Sequence, residues 1–234
     1  MTLSLLGPLW AVAALAALVQ GTVGIGFALI VAPVFALAAP GYLPVTLLIL
    51  MLPLNAHVAL RERGAIDWPG TGWITLGRFA GTFAGLALLL ALSLRQMEIA
   101  VGLFTILAAL VALFAPPFAP RRGTSIGVGL FTGISETATG IGGPPLALLY
   151  QHAPGPRLRA TVAACFLIGE VLSLVVLALG GRVSRDHLLA AATLVPAVLL
   201  GSALSRHAHA HVPAAGLRSA VLAFSILAGA VLIV

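Results

Sequence analysis

Residues 136–145 read Glu-Thr-Ala-Thr-Gly-Ile-Gly-Gly-Pro-Pro, and residues 20–26 read Gln-Gly-Thr-Val-Gly-Ile-Gly. Both stretches interrupt long apolar runs with glycine where a helix would otherwise continue. In the second, Pro144 and Pro145 suit the first turn of a new helix, where a missing N–H costs nothing. At a separation of 116 residues Gly24 falls on Gly140, Ile25 on Ile141 and Gly26 on Gly142. Working outward, Gly85 falls on Gly201 at the same separation, and the run Phe-Thr-Ile-Leu-Ala at 104–108 returns as Phe-Ser-Ile-Leu-Ala at 224–228. The chain reads as an internal repeat, with halves at 1–115 and 124–234 and a Pro-rich, basic linker at 116–123.

The composition says where these halves reside. Of 234 residues, 61% are hydrophobic and 8% charged, whereas soluble domains carry about 25% charged residues. The mean hydropathy is +1.15. A bilayer core about 30 Å thick takes about 20 apolar residues per helical crossing, so the expected fold is an all-α, polytopic membrane protein forming one integrated membrane domain. Apolar segments run at 3–39, 43–60, 71–92, 97–115, 124–150, 157–180, 186–205 and 213–234, enough for six to eight spans. The first stretch lacks a basic start and runs into further apolar sequence, so it reads as retained and not as a cleaved signal. Twelve basic residues, all Arg, give a formal charge of +6, but all except Arg78 sit in short loops as membrane orientation requires, and no nucleic-acid partner is expected. The single cysteine, Cys165, excludes an internal disulfide and lies in an apolar run, where a buried small side chain is expected.

Two of the segments are peculiar. A single helix over 3–39 would be about 55 Å long, and Gly21, Gly24 and Gly26 interrupt it; the segment 124–150 is broken by Gly140, Gly142, Gly143, Pro144 and Pro145. If each broken segment crossed once, the halves would be parallel and the loop arginines would divide six to five, which orients nothing. If each enters and returns as a hairpin, the halves are inverted. One face then collects Arg61, Arg63, Arg121, Arg122, Arg157, Arg159, Arg206 and Arg218 against Arg95, Arg182 and Arg185. That division obeys the positive-inside rule and favours two inverted repeats, each a Gly-broken hairpin plus three transmembrane helices.

Paired interrupted segments in corresponding positions are the best sequence pointer to a transporter's binding site. A half-helix beginning near Gly143 would turn its positive end to the break and attract an anion. Gly24, Gly26, Gly140, Gly142 and Gly143 are therefore candidate substrate-binding positions, against the plainer reading that small residues only let helices pack closely.

The run Gly21-Thr22-Val23-Gly24-Ile25-Gly26 followed by Pro33, and Gly133-Ile134-Ser135 leading to Gly140-Ile141-Gly142-Gly143 with Pro145, resemble the TauE/SafE sulfite-exporter family, as does the duplicated layout over nearly the whole chain. The resemblance implies a bacterial inner-membrane carrier exporting sulfite, a sulfonate or a related small organic anion. Where that family continues with glycine in the first half, this chain has Phe27.

Ionisable groups inside a membrane cost about 2.5–3.5 kcal/mol at a helix centre on insertion scales, so each invites a function. Glu136 lies four residues before Gly140, and the repeat sets Gln20 opposite it; together they would line one cavity. Glu136 and Glu170 are candidates for coupling to a proton gradient, Glu170 also for pairing with Arg78. Arg78 either snorkels from the third segment or grips an oxyanion with its fork. Asn55 and His57 read as helix–helix hydrogen bonds, with Asn55 retained as a candidate substrate contact. His207, His209 and His211 alternate with alanine and read as a solvated loop, so no metal site is expected. No enzymatic motif, catalytic residue or cofactor is indicated. The leading expectation is a secondary carrier for a small anion, with proton or sodium coupling and homo-oligomerisation left open. A passive anion channel and a non-transporting membrane assembly protein are the other classes.

Overall fold

The computed structural model describes residues 3–23, 26–116, 119–208 and 214–234, and among these all regular structure is helical. Ten α-helices follow one another: α1 (Leu3–Val23), α2 (Phe27–Ala38), α3 (Val45–Arg61), α4 (Trp68–Ala91), α5 (Leu94–Phe114), α6 (Arg122–Thr139), α7 (Gly143–Tyr150), α8 (Gly155–Leu179), α9 (Arg185–Ala208) and α10 (Ala214–Ile233). Among the described residues six helices, α1, α4, α5, α8, α9 and α10, are long and apolar enough to cross a membrane. With 17 residues, α3 rises about 26 Å. The chain is a multi-pass membrane protein.

Both broken segments divide as the glycines suggest, into α1/α2 and α6/α7, but Gly21 is not part of a break. It remains within α1, where a Cβ would collide with the hydroxyl of Ser205 on α9. Small size, not conformational freedom, is what that position requires. Gly24 lies outside the described residues, as do His209 and His211 and part of the linker.

Helix partners are exchanged across the chain: α4 packs chiefly on α6, α1 on α9, α5 on α10 and α3 on α8. Lipid offers no hydrophobic drive for helices to associate, so close backbone approach has to supply dispersion instead. Gly77 and Gly81 of α4 face Gly129 and Gly133 of α6. A Cβ on Gly77 would meet the carbonyl oxygen of Ile126, one on Gly81 that of Leu130, and one on Gly129 that of Ile74. At the α1–α9 seam, Gly201 lies against the carbonyl of Ala14.

The ends of the bundle are tied by polar contacts. At one end Asp67 caps α4, accepting from the Gly70 N–H at 3.3 Å; it also accepts from the Tyr150 hydroxyl at 3.0 Å and pairs with Arg157 at 3.2 Å. Beside it Glu62 binds Arg159 at 3.0 Å and Arg61 at 2.8 Å. Arg122, opening α6, stacks over Trp73 of α4, so α6 starts, and α7 finishes, beside the first turns of α4. Arg218 donates to the carbonyl of Ala112 at 2.9 Å, joining the start of α10 to the finish of α5. At the opposite end His187, opening α9, meets the Gly41 carbonyl at 3.0 Å and the edge of Tyr42. Arg95 there donates to the carbonyls of Leu232 and Ile233, each at 3.2 Å.

Burial pushes the Glu62 and Asp67 carboxyls up, but the hydrogen bonds and charge of Arg159 and Arg61 on Glu62, and of Gly70, Tyr150 and Arg157 on Asp67, outweigh it. Both are held below the ordinary carboxylate range. The stabilisation is full above the unfolded-state value of about 4 and is lost as pH falls through the depressed folded-state values. Thermal unfolding in detergent should show a midpoint that drops below about pH 4, and Asp67→Asn should flatten that acid limb. In the same assay Gly81→Val is expected to destabilise by about 1–3 kcal/mol or more through overpacking. Gly72→Ala, where an added Cβ meets nothing within 4 Å, should stay within about 0.5 kcal/mol.

Candidate functional site

The second break is built by local backbone chemistry. Gly140 closes α6 at φ 83°, a left-handed conformation that disfavours a side chain, and its N–H donates to the Glu136 carbonyl at 2.7 Å. The Thr139 hydroxyl takes the Ile141 N–H at 3.3 Å. α7 begins at Gly143, with Pro144 in its first turn. In the first break Gly26 stands at φ 132° before α2, and the Phe27 N–H donates to Gln20 Oε1 at 3.0 Å. A side chain from α1 thus caps α2 across the break.

The starts of α2 and α7 meet. Gly26, Ala28 and Leu29 from one, and Ile141, Gly143 and Pro144 from the other, surround a small cavity of about 20 Å³ completed by Gln20, Met51 and Phe166. It lies about halfway along α3 and α8. Two helix N-termini, each carrying about +0.5 of an elementary charge, therefore face one space. A second, slightly larger cavity, of about 30 Å³, is lined by Gln20, Asn55, His57, Arg61, Arg159, Ser202 and Ser205 and reaches toward the Glu62 end. Gln20 borders both cavities.

Behind Gln20 runs a line of amides. Gln20 Nε2 donates to Asn55 Oδ1 at 3.4 Å, and Asn55 Nδ2 donates to Glu170 Oε1 at 2.6 Å. Glu170 is fully buried. Beyond it Arg78 Nη2 lies 2.6 Å from Glu136 Oε1, with both side chains sealed from solvent. The angle of that contact is too poor for a directed hydrogen bond, so the pair is held chiefly by charge. The guanidinium rests on Gly169, where a Cβ would overlap it, with the Phe166 ring centroid 5.9 Å away.

Several expectations change here. Glu136 and Gln20 do not line one cavity: Gln20 does, while Glu136 is drawn to Arg78 and away from the open space. Arg78 neither snorkels nor borders the cavity between the helix starts, and its ion-pair partner is Glu136 in place of Glu170. Asn55 makes the helix–helix hydrogen bonds expected of it, to Gln20 and Glu170, and His57 borders the second cavity. Cys165 is buried beside Thr71. Gly169, Phe166 and Ser205 went unread. A glycine inside a membrane helix next to a carboxylate was the available signal for Gly169; Phe166 and Ser205 gave none.

The family model described as sulfite exporter TauE/SafE matches residues 9–232. The chain belongs to this family. No curated protein and no solved structure shows a significant match. This TauE/SafE protein is therefore a multi-pass membrane transporter of a family that carries sulfite-like anions.

If Gly169 exists to seat Arg78, the two positions are energetically coupled. Gly169→Ala should lower stability by about 1–3 kcal/mol in the wild-type background and by much less beside Arg78→Met. A double-mutant cycle on thermal unfolding measures the difference.

Proposed function

We propose that this TauE/SafE protein is a secondary carrier of a small anion, a sulfite or short sulfonate, across a bacterial inner membrane. The observation that carries the reading is the meeting of two helix N-termini, at Phe27 and Gly143, around one cavity halfway through the bundle. Backbone N–H groups and the helix dipoles favour negative charge there without requiring a buried cation. The substrate contacts are the backbone at Gly26, Gly142 and Gly143 and the Gln20 side chain, with Gly24 assigned by the repeat alone. Gly140 shapes the turn. Arg78 supports the site through Glu136, and Asn55 through Gln20. Transport draws on an ion gradient and uses no catalysis or cofactor.

The arrangement of the halves is part of the proposal. The exchanged helix partners, and the start of α6 and finish of α7 at one end of α4, support two inverted repeats whose hairpins enter from opposite faces. The arginine-rich end carrying Arg61, Arg122, Arg157, Arg159 and Arg218 is then cytoplasmic, and the larger cavity opens on that side. Alternating access follows if the two repeats rock about the cavity between them.

Gly143 gives the sharper test of transport. An added Cβ there meets only the Phe166 ring, at 3.7 Å, while Gly142 is crowded by the Glu136 carboxylate. In proteoliposomes the wild type should move labelled sulfite or methanesulfonate, and Gly143→Val should fold yet lose at least about tenfold in flux. Flux that no ion gradient drives would make the protein a channel, and absence of flux for every small anion would leave the assembly-protein reading. For topology, Gly123→Cys and His152→Cys should label from one face and Gly41→Cys from the other; opposite-face labelling of the first pair ends the hairpin reading.

A further inference from the structure

The line of amides behind the cavity has a direction. A backbone N–H can only donate, so Phe27 requires the oxygen of Gln20 to face it. The nitrogen of Gln20 is then left to donate to Asn55 Oδ1, and the nitrogen of Asn55 to donate to Glu170 Oε1. Every donor from the start of α2 onward points toward Glu170, and that polarity follows from the one unambiguous donor in the line. Such a line favours the ionised carboxylate at its far end.

The charges around Glu170 are few. Arg78 from α4 and Glu136 from α6 face it as an ion pair, and Asn55 faces it from α3. On α7, Tyr150 is engaged by Asp67 at the bundle end, and Arg63, in the turn after α3, is exposed. On α8 itself, Cys165 lies against Thr71. With Glu170 ionised, this buried group of charges sums to one negative. An anion in the cavity would make it two, in surroundings where each uncompensated charge costs several kcal/mol.

We propose that an anion in the cavity and a proton on Glu170 are linked through Gln20 and Asn55, so that the carrier moves the two together; this rests on the anion-carrier reading above. The anion accepts the Phe27 N–H in place of Gln20 Oε1. Gln20 is released, Asn55 loses the partner that fixed its amide, and the Glu170 carboxylate loses the polarised line supporting it. One proton from solution, reaching Glu170 through the larger cavity that Gln20 and Asn55 line, then forms its O–H bond. The buried charge is one negative before and after. Leaving the cavity, the anion restores the Phe27–Gln20 bond, and the proton departs.

Linkage makes the coupling measurable in either direction. The probe is methanesulfonate, which stays a monoanion across the range and brings no proton of its own. Added to the whole protein in detergent and weak buffer, at a pH that leaves Glu170 ionised in its absence, it should draw up about one proton per anion bound. Its Kd should weaken about tenfold per pH unit on the alkaline side of Glu170's titration. Glu170→Gln, which keeps an oxygen for Asn55, should abolish the uptake and flatten the pH dependence. Gln20→Leu and Asn55→Leu should also flatten it although the carboxyl remains, and unfolding midpoints identify variants folded well enough to compare. Binding without proton uptake overturns this inference alone, as does undiminished pH dependence in both relay variants. Absence of methanesulfonate binding at every pH overturns the carrier reading together with it.

Discussion

Arg78 carries a planar, charged guanidinium, and its side chain is 1% exposed. Burying it sets conditions on three helices at once. α6 must present Glu136, α8 must present a residue without a side chain, Gly169, and α4 must lie near enough to α6 for the two to meet. The glycines of α4 and α6 answer the last condition, because they let the backbones approach to atomic contact. The same approach fixes where α6 ends, and so where Gly140, Gly142 and Gly143 lie. The cavity between the helix starts is thus positioned by an ion pair that does not touch it.

The breaks were legible because glycine and proline act locally: α7 begins at Gly143, where the prolines permit a helix to start. The membrane spans were legible because length and hydropathy need no tertiary information. Partner choice was another matter. Nothing in the sequence says whether Glu136 or Glu170 takes Arg78, because both face the same interior and the decision rests on the depth at which α4 and α6 lock. Gly21 misled for a related reason. A glycine that breaks a helix and one that admits a neighbour look alike until Ser205 is seen against it.

Position by position, the two halves of the sequence differ in charge. Gln20 stands 116 residues before Glu136, and Asn55 stands 115 before Glu170. At the 116-residue separation Gln20 falls on Glu136, while Asn55 falls one residue past Glu170, on Val171. Asn55 and Glu170, one from each half, bond to each other. The first half contributes neutral amides, and the second contributes carboxyl groups. Four acids in these places would leave more buried charge than Arg78 alone could offset.

The exchange of helix partners also governs how such a chain can come together. α1 waits for α9, α4 for α6 and α5 for α10, so at the moment the first half has entered the bilayer its glycine-rich faces have nothing to close on. Arg78 is then in the membrane ahead of Glu136, which arrives 58 residues later. Assembly is consequently a late, collective event, in which the second hairpin slots between helices already inserted. Until then the early helices depend on lipid, on the insertion machinery, or on keeping the Arg78 guanidinium near the interface.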